Sequence, residues 1–227
     1  PVVGSAPVGH NGTEAWLQAI GSAVNVPQAM IDAAKNRILP AIRGALAAKP
    51  IQGRITLSGY EGSELLVGRL LVESGADLRY VGTACPRTPW SDADRQWLEA
   101  RGVHVQYRAS LEQDLAAMRE FQPDLAIGTT PVVQAAKEAR IPALYFTNLI
   151  SARPLMGPAG AGSLAAVVNA AIANKARFDA MADFFGDAGQ GDKAGVWNNT
   201  PQARPEFRAD FKRQVIKLHA KRKAEAM

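Results

Sequence analysis

Between Gly53 and Phe146 the chain alternates short apolar runs with helix-start signals, and this alternation narrows the possible folds more than any other feature. The strand-like runs are Arg54–Leu57, Arg79–Val81, Val103–Tyr107, Leu125–Ile127 and Ala143–Phe146. They recur about every 20–25 residues, room for one strand and one helix each. Parallel neighbours need a crossover of helix length. Five such units therefore predict a doubly wound α/β domain, with a mostly parallel sheet covered by helices on both faces. The punctuation agrees. Ser91 with Asp94, and Ser110 with Gln113, have capping-box spacing. Thr130-Pro131 reads as a cap followed by proline in the first turn. Gly75, Gly102 and Pro123 stand where helices should stop.

Residues 13–48 read as helical, with Thr13 as a cap ahead of Trp16, Leu17 and Ile20, and Pro27 opening a second helix. Pro40 lies inside that second pattern and predicts a kink or break. Beyond Phe146 a loop containing Pro154, Gly157, Pro158, Gly160 and Gly162 leads to a helix over 163–185. Glycine and asparagine then mark 186–200 as a linker. From Pro205 the pattern predicts an amphipathic basic helix with Phe207, Phe211, Val215 and Leu218 on one stripe. The expected organisation is a helical entry segment (1–50), a Rossmann-like α/β cavity domain (51–185), and a linker with tail helix (186–227).

Composition closes several routes. With 47% hydrophobic and 21% charged residues, the chain has material for one sizeable core. No apolar run reaches the length of a membrane span and no signal-peptide pattern opens the chain, so a cytoplasmic protein is expected. The chain opens on Pro1 rather than methionine, which reads as a piece whose upstream part is missing. Cys85 is the single cysteine, and the histidines are His10, His104 and His219. An internal disulfide, a four-cysteine metal site or an iron–sulfur site built from this chain alone is excluded. The net charge of +5 resides in the tail: residues 201–227 carry 8 basic and 3 acidic side chains, whereas residues 1–200 carry 18 of each. A basic tail with an apolar stripe favours subunit docking over nucleic-acid or membrane contact.

Ligands of open parallel sheets bind beyond the carboxyl ends of the strands. Here those ends are small, polar, glycine-containing loops: Ser58–Gly62, Gly82–Arg87, Gly128–Pro131 and Thr147 onward to Arg153. The same composition serves ordinary βα turns. Gly59–Ser63 lacks GxGxxG spacing and places Glu61 where a pyrophosphate would sit, and no P-loop occurs, so this chain does not itself hydrolyse ATP. Cys85 reads more readily as a small strand-end filler than as a reactive thiol. Of the histidines only His10, in a loop, is a candidate ligand.

Several stretches resemble the last domain of nitrogenase component 1 and its relatives: Pro7–Gly9, Gly12-Thr13, Trp16-Leu17, Gly53–Gly59, Leu65–Gly75, Pro123–Gly128 and Ile141-Pro142. Within that family, Tyr80–Trp90 and Tyr145–Gly162 resemble the Y subunits of the chlorophyllide a reductases, in their carboxy-terminal part. The resemblance implies a homologous Z subunit in a heterotetramer, and a separate ATP-dependent iron–sulfur reductase. It also implies a [4Fe-4S] cluster whose ligands lie in the amino-terminal half, outside this chain. The substrate implied is chlorophyllide a, reduced at the C7=C8 bond of ring B. By the same correspondence, Ser58, Gly59, Tyr60, Glu61, Thr83, Cys85, Arg87, Thr147, Asn148 and Arg153 line the substrate cavity. Arg87 or Arg153 is a candidate for the propionate, and Glu61 or Tyr60 for proton delivery. Two rivals remain at this level: a dark-operative protochlorophyllide reductase acting on ring D, and a non-catalytic ligand-binding α/β module.

Overall fold

The computed structural model describes residues 6–184, with side chains as far as Ala180. One compact unit ends at Lys175 and a second begins at Ala176. The sheet of the first unit holds β1 (Arg54–Gly59), β2 (Asp77–Thr83), β3 (His104–Tyr107), β4 (Leu125–Gly128) and β5 (Ala143–Tyr145). All neighbours are parallel, in the order β3-β2-β1-β4-β5. Each expected strand is present, with ends shifted by up to two residues. Phe146 is the exception in kind, because it leaves the strand and opens a helix.

The two sheet faces differ in depth. Ile55 and Leu57 of β1, with Leu125 and Ile127 of β4, join the larger core, together with Leu65, Leu70 and Leu71 of α3 (Glu64–Glu73). Two further helices add to this core: α2 (Gln28–Ala48) gives Leu39, Ile42 and Leu46, and α8 (Gly157–Ala173) gives Leu164, Ala165 and Val168. A smaller cluster joins Ala126 and Ala143 to Met118 of α5 (Leu111–Phe121) and to Val133 and Ala136 of α6 (Thr130–Glu138). Along β4 and β5 the period of two sends alternate side chains to these two cores. No helix of the described residues is long and apolar enough to cross a membrane.

Several local expectations need correction. The first helix, α1 (Gly9–Ala23), begins one turn before Thr13. Thr13 is buried inside it, its hydroxyl donating to Gly9 O at 2.6 Å. The capping acceptor is instead Glu73, whose carboxylate accepts His10 N–H at 2.5 Å and Asn11 N–H at 3.2 Å. Pro40 does not break α2, which runs from Gln28 to Ala48. Ile31, Leu39, Ile42 and Leu46 are buried on both sides of the proline, and this packing outweighs the lost hydrogen bond. The box expected of Ser91 and Asp94 forms one turn earlier, between Thr88 and Ser91. It precedes α4 (Asp92–Glu99), and Asp94 is taken by a buried ion pair with Arg69. The cap of α6 is Thr129 rather than Thr130. The loop after β5 is largely helical, holding α7 (Phe146–Ser151) and the start of α8. A break at Asn174 separates α8 from α9 (Lys175–Phe184). The Ser110–Gln113 box is as the sequence predicts, with reciprocal bonds of 2.8 and 3.3 Å. The linker and tail helix expected over 186–227 lie outside the described residues.

Candidate functional site

The sheet order places a topological switch point between β1, whose chain runs on toward β2, and β4, whose chain runs on toward β5. A crevice opens at such points beyond the strand ends. Here it is a cleft of about 300 Å³ walled by Tyr60, Gly128, Thr129, Thr130, Thr147 and Asn148. The side chain of Thr129 makes no cap hydrogen bond, so the first N–H groups of α6 are not closed off by their own cap.

A second cleft, of about 400 Å³, lies on the β2–β3 side. Leu65, Leu66, Trp90, Tyr107, Thr83 and Cys85 are among its walls, and it is the more apolar of the two. Trp90 is 57% exposed at its rim. The turn after β1 separates the clefts: Tyr60 faces the first and Gly62 the second. Gly62 has φ +82°, a left-handed conformation that glycine adopts without strain.

Glu64, the first residue of α3, lies wholly buried beneath this turn. One carboxylate oxygen accepts Glu61 N–H at 2.7 Å, and the other accepts the Thr83 hydroxyl at 2.8 Å. Thr83 Oγ1 in turn accepts Cys85 N–H at 3.2 Å, and the Cys85 thiol lies 3.6 Å from Tyr60 O. From the other side, Thr147 donates its hydroxyl to Glu61 Oε1 at 2.9 Å. A continuous polar thread thus runs from the end of β2, past β1, to α7.

The candidate residues fall into distinct environments. Tyr60, Thr147 and Asn148 meet at the switch-point cleft, while Thr83 and Cys85 meet in the apolar one. Ser58 and Gly59 are beneath the surface. Ser58 is 3% exposed with its hydroxyl unpartnered, and a side chain on Gly59 would strike Glu64 Oε1 at 2.5 Å and Phe146 at 2.7 Å. Arg87 lines none of these clefts. It forms a two-pronged pair with Asp92 at 2.6 and 3.1 Å on the exposed surface, and that pair holds the Asp92 carboxyl below its usual range. Arg153 lines a separate pocket of about 150 Å³ that shares Tyr145 and Asn148 with the switch-point cleft. Its Nε is buried without a hydrogen-bond partner among the described residues. His10, the histidine singled out as a possible ligand, lies in another pocket with Arg43 and Glu73, beside the start of β2.

Sequence reasoning passed over the buried charges. Glu64 looks like any first-turn acid stabilised by a helix dipole. Asp114 of α5 accepts the Tyr80 hydroxyl at 2.8 Å. Burial pushes the Asp114 carboxyl up to about 6; the Tyr80 hydrogen bond opposes this and the nearby Glu64 charge adds to it. Burial, then the Asp114 charge, likewise pushes the Tyr80 hydroxyl far above its usual range. Arg69 joins Asp94 in the buried pair between α3 and α4, with its guanidinium 5.0 Å from the Trp97 ring centre. Trp90 also escaped notice as a cavity wall, whereas Thr129 and Thr130 lie in the strand-end loop Gly128–Pro131 that the sequence had pointed to. Among the described residues no group of three or more His, Cys, Asp or Glu is placed to hold a metal ion.

Comparison with known proteins gives this geometry a family. Over 226 residues the chain is 65% identical to the chlorophyllide reductase 52.5 kDa chain of Cereibacter sphaeroides, and 63% identical to the chain of the same name from Rhodobacter capsulatus. The alignments cover 100% of this chain but 45% and 46% of those proteins, so the chain spans under half the length of the curated relatives it matches. They lend no support to the carboxy-terminal placement expected from the sequence. Two solved structures, described as nitrogenase Cp1 at pH 6.5 and at pH 5, superpose with TM-scores of 0.54 and 0.55. They cover 75% of this chain and 39% and 41% of their own, at 21% and 12% identity, which establishes a shared fold and nothing more. The family description "nitrogenase component 1 type oxidoreductase" matches residues 1–173, and the chain therefore belongs to that family.

Proposed function

We propose that this chain is the substrate-cavity part of the catalytic component of a chlorophyllide a reductase, which reduces the C7=C8 bond of ring B on the way to bacteriochlorophyll. The observation that carries the reading is identity of 65% across the whole chain with a chlorophyllide reductase chain. The same identity favours ring B over the ring D chemistry of a protochlorophyllide reductase.

The geometry fits a flat, largely apolar pigment with a polar edge. The apolar cleft supplies Leu65, Leu66 and the exposed face of Trp90 for the macrocycle, while the switch-point cleft supplies hydroxyls and an amide for its oxygen substituents. Glu61 and Tyr60, on the turn between the clefts, are the candidates for proton delivery. Arg153, with its buried and unpartnered Nε, is the better propionate anchor, because the Arg87 fork is already occupied by Asp92.

Cys85 cannot fit a [4Fe-4S] cluster alone, since such a cluster needs a full set of thiolates. In this reading the cluster ligands come from outside the chain, electrons arrive from an ATP-dependent iron–sulfur reductase, a homologous Z subunit completes a heterotetramer, and the assembly works in the cytoplasm. The test is a chlorophyllide a titration and turnover assay on the full-length subunit with its Z-type and reductase partners. Conversion to a bacteriochlorin spectrum is expected. Failure to bind or reduce the pigment, with the cluster demonstrably reduced, would overturn the reading. In the same assay Arg153→Ala should weaken pigment binding by about 1.5–3 kcal/mol while cluster reduction is unchanged.

A further inference from the structure

Both hydrogen bonds of the Glu64 carboxylate go to groups that wall the clefts: the backbone of the Tyr60–Gly62 turn and the hydroxyl that anchors Cys85. A carboxylate suits this place because it offers acceptors on both oxygens, and both are used by donors from different loops. Glutamine accepts on one side only and turns an amide toward the other. The residue is 0% exposed, so water cannot replace a missing partner. Gly59 lacks a side chain where one would displace Glu64 Oε1, so the strand end itself is shaped around this carboxylate.

We propose that Glu64 is a positioning residue for the substrate cavity, fixing the Tyr60–Gly62 and Thr83–Cys85 turns in one arrangement so that the two clefts keep their shape and Glu61 keeps its place against Thr147. The proposal rests on the reading that these clefts hold the pigment. Glu64 does not face a cleft and acts only through the groups it holds. Its loss therefore loosens the cavity walls more than the fold, because the apolar core around α3 is untouched.

The experiment uses the full-length subunit in its complex, with Glu64→Gln and Thr83→Val as parallel variants. Cys85 is partly exposed and hangs from the thread, so its alkylation by N-ethylmaleimide, followed on its own peptide by mass spectrometry, reports the order of the turns without any pigment. Expected in both variants is labelling faster by about fivefold, the shift in population that one lost hydrogen bond produces. In Glu64→Gln the chlorophyllide KM should rise by a comparable factor with kcat nearly unchanged, whereas Thr83, itself a cleft wall, is read by the labelling alone. Unchanged Cys85 labelling in the variants that assemble would overturn the proposal, as would a large fall in melting temperature without a change in labelling. If wild-type complex neither binds nor reduces the pigment, the functional reading fails, yet the labelling rates still decide whether Glu64 orders the turns.

Discussion

The two ends of the sheet handle charge in opposite ways. At the amino end Arg54 pairs with Asp77 at 3.2 Å, Arg79 pairs with the same aspartate at 2.7 Å, and Asp124 accepts Arg54 N–H at 2.7 Å, all in view of solvent. At the carboxyl end Glu64 and Asp114 are buried, and among the described residues no ion pair reaches either of them. Their partners are neutral: a backbone amide, a threonine and a tyrosine. Charges at the amino end are interchangeable with water. Glu64 and Asp114 at the carboxyl end are instead held in place by the fold.

The strongest test of this contrast is the buried pair behind the apolar cleft. Arg69→Leu leaves Asp94 buried and unpaired and should cost about 3–5 kcal/mol in denaturant unfolding. The double change with Asp94→Leu should recover most of the loss, because the pair as a whole adds little beyond its desolvation cost. A small effect of the single change would mean that water reaches Asp94 and that the two ends differ less than their burial implies.

Backbone crowding gives the next largest effect. A side chain on Gly82 would collide with the Asp114 carboxylate and the Tyr80 ring, so Gly82→Ala should cost roughly 1–3 kcal/mol. Gly44→Ala, in α2 with nothing within 4 Å of the added carbon, should be neutral or stabilise by up to about 1 kcal/mol. Thermal unfolding of the two variants side by side separates the crowded strand end from an open helix face.

Asp114 sharpens the comparison through pH. Its carboxyl is raised from 3.8 to about 6 in the folded chain, so the folded state binds the proton more tightly than the unfolded one. The penalty is absent below the unfolded value, grows as pH rises from about 4 to 6, and is fully present above that. Asp114→Asn, which can still accept the Tyr80 hydrogen bond, should therefore be more stable than the parent at pH 7 by about 1 kcal/mol, after allowance for solvent screening. The difference should vanish below pH 4. A constant difference across that range would place its origin in packing rather than ionisation. The smallest effect belongs to the amino end: Asp77→Asn should change stability by less than about 1 kcal/mol, and less still at high salt.

Much of the fold was legible because it depends on local regularities. The five strands, the stops at Gly75 and Gly102 and the Ser110–Gln113 box follow from periodicity and backbone chemistry within a few residues. The strand-end rule also pointed to the loops that do wall the clefts. Where the reading slipped, a distant group had replaced a local one. Glu73, from the end of α3, caps α1 in place of Thr13, and Arg69 draws Asp94 away from the cap it was expected to complete. Pro40 is held within a continuous helix by packing on both of its sides.

The sequence by itself determined the alternation of strands and helices, and with it the parallel sheet and the loops that wall its two clefts. Those depend on spacing, caps and turn residues, which act between near neighbours. Only the tertiary structure decided which acids are buried and which arginine keeps a buried Nε without a partner among the described residues. Glu64 and Glu61 are both glutamates near a helix start, yet one lies wholly under the turn and the other on it. Arg87 and Arg153 are both loop arginines, yet one is paired with Asp92 and the other keeps a buried, unpartnered Nε. Burial is set by residues far apart in the chain, and no local pattern encodes which of two like side chains it will reach.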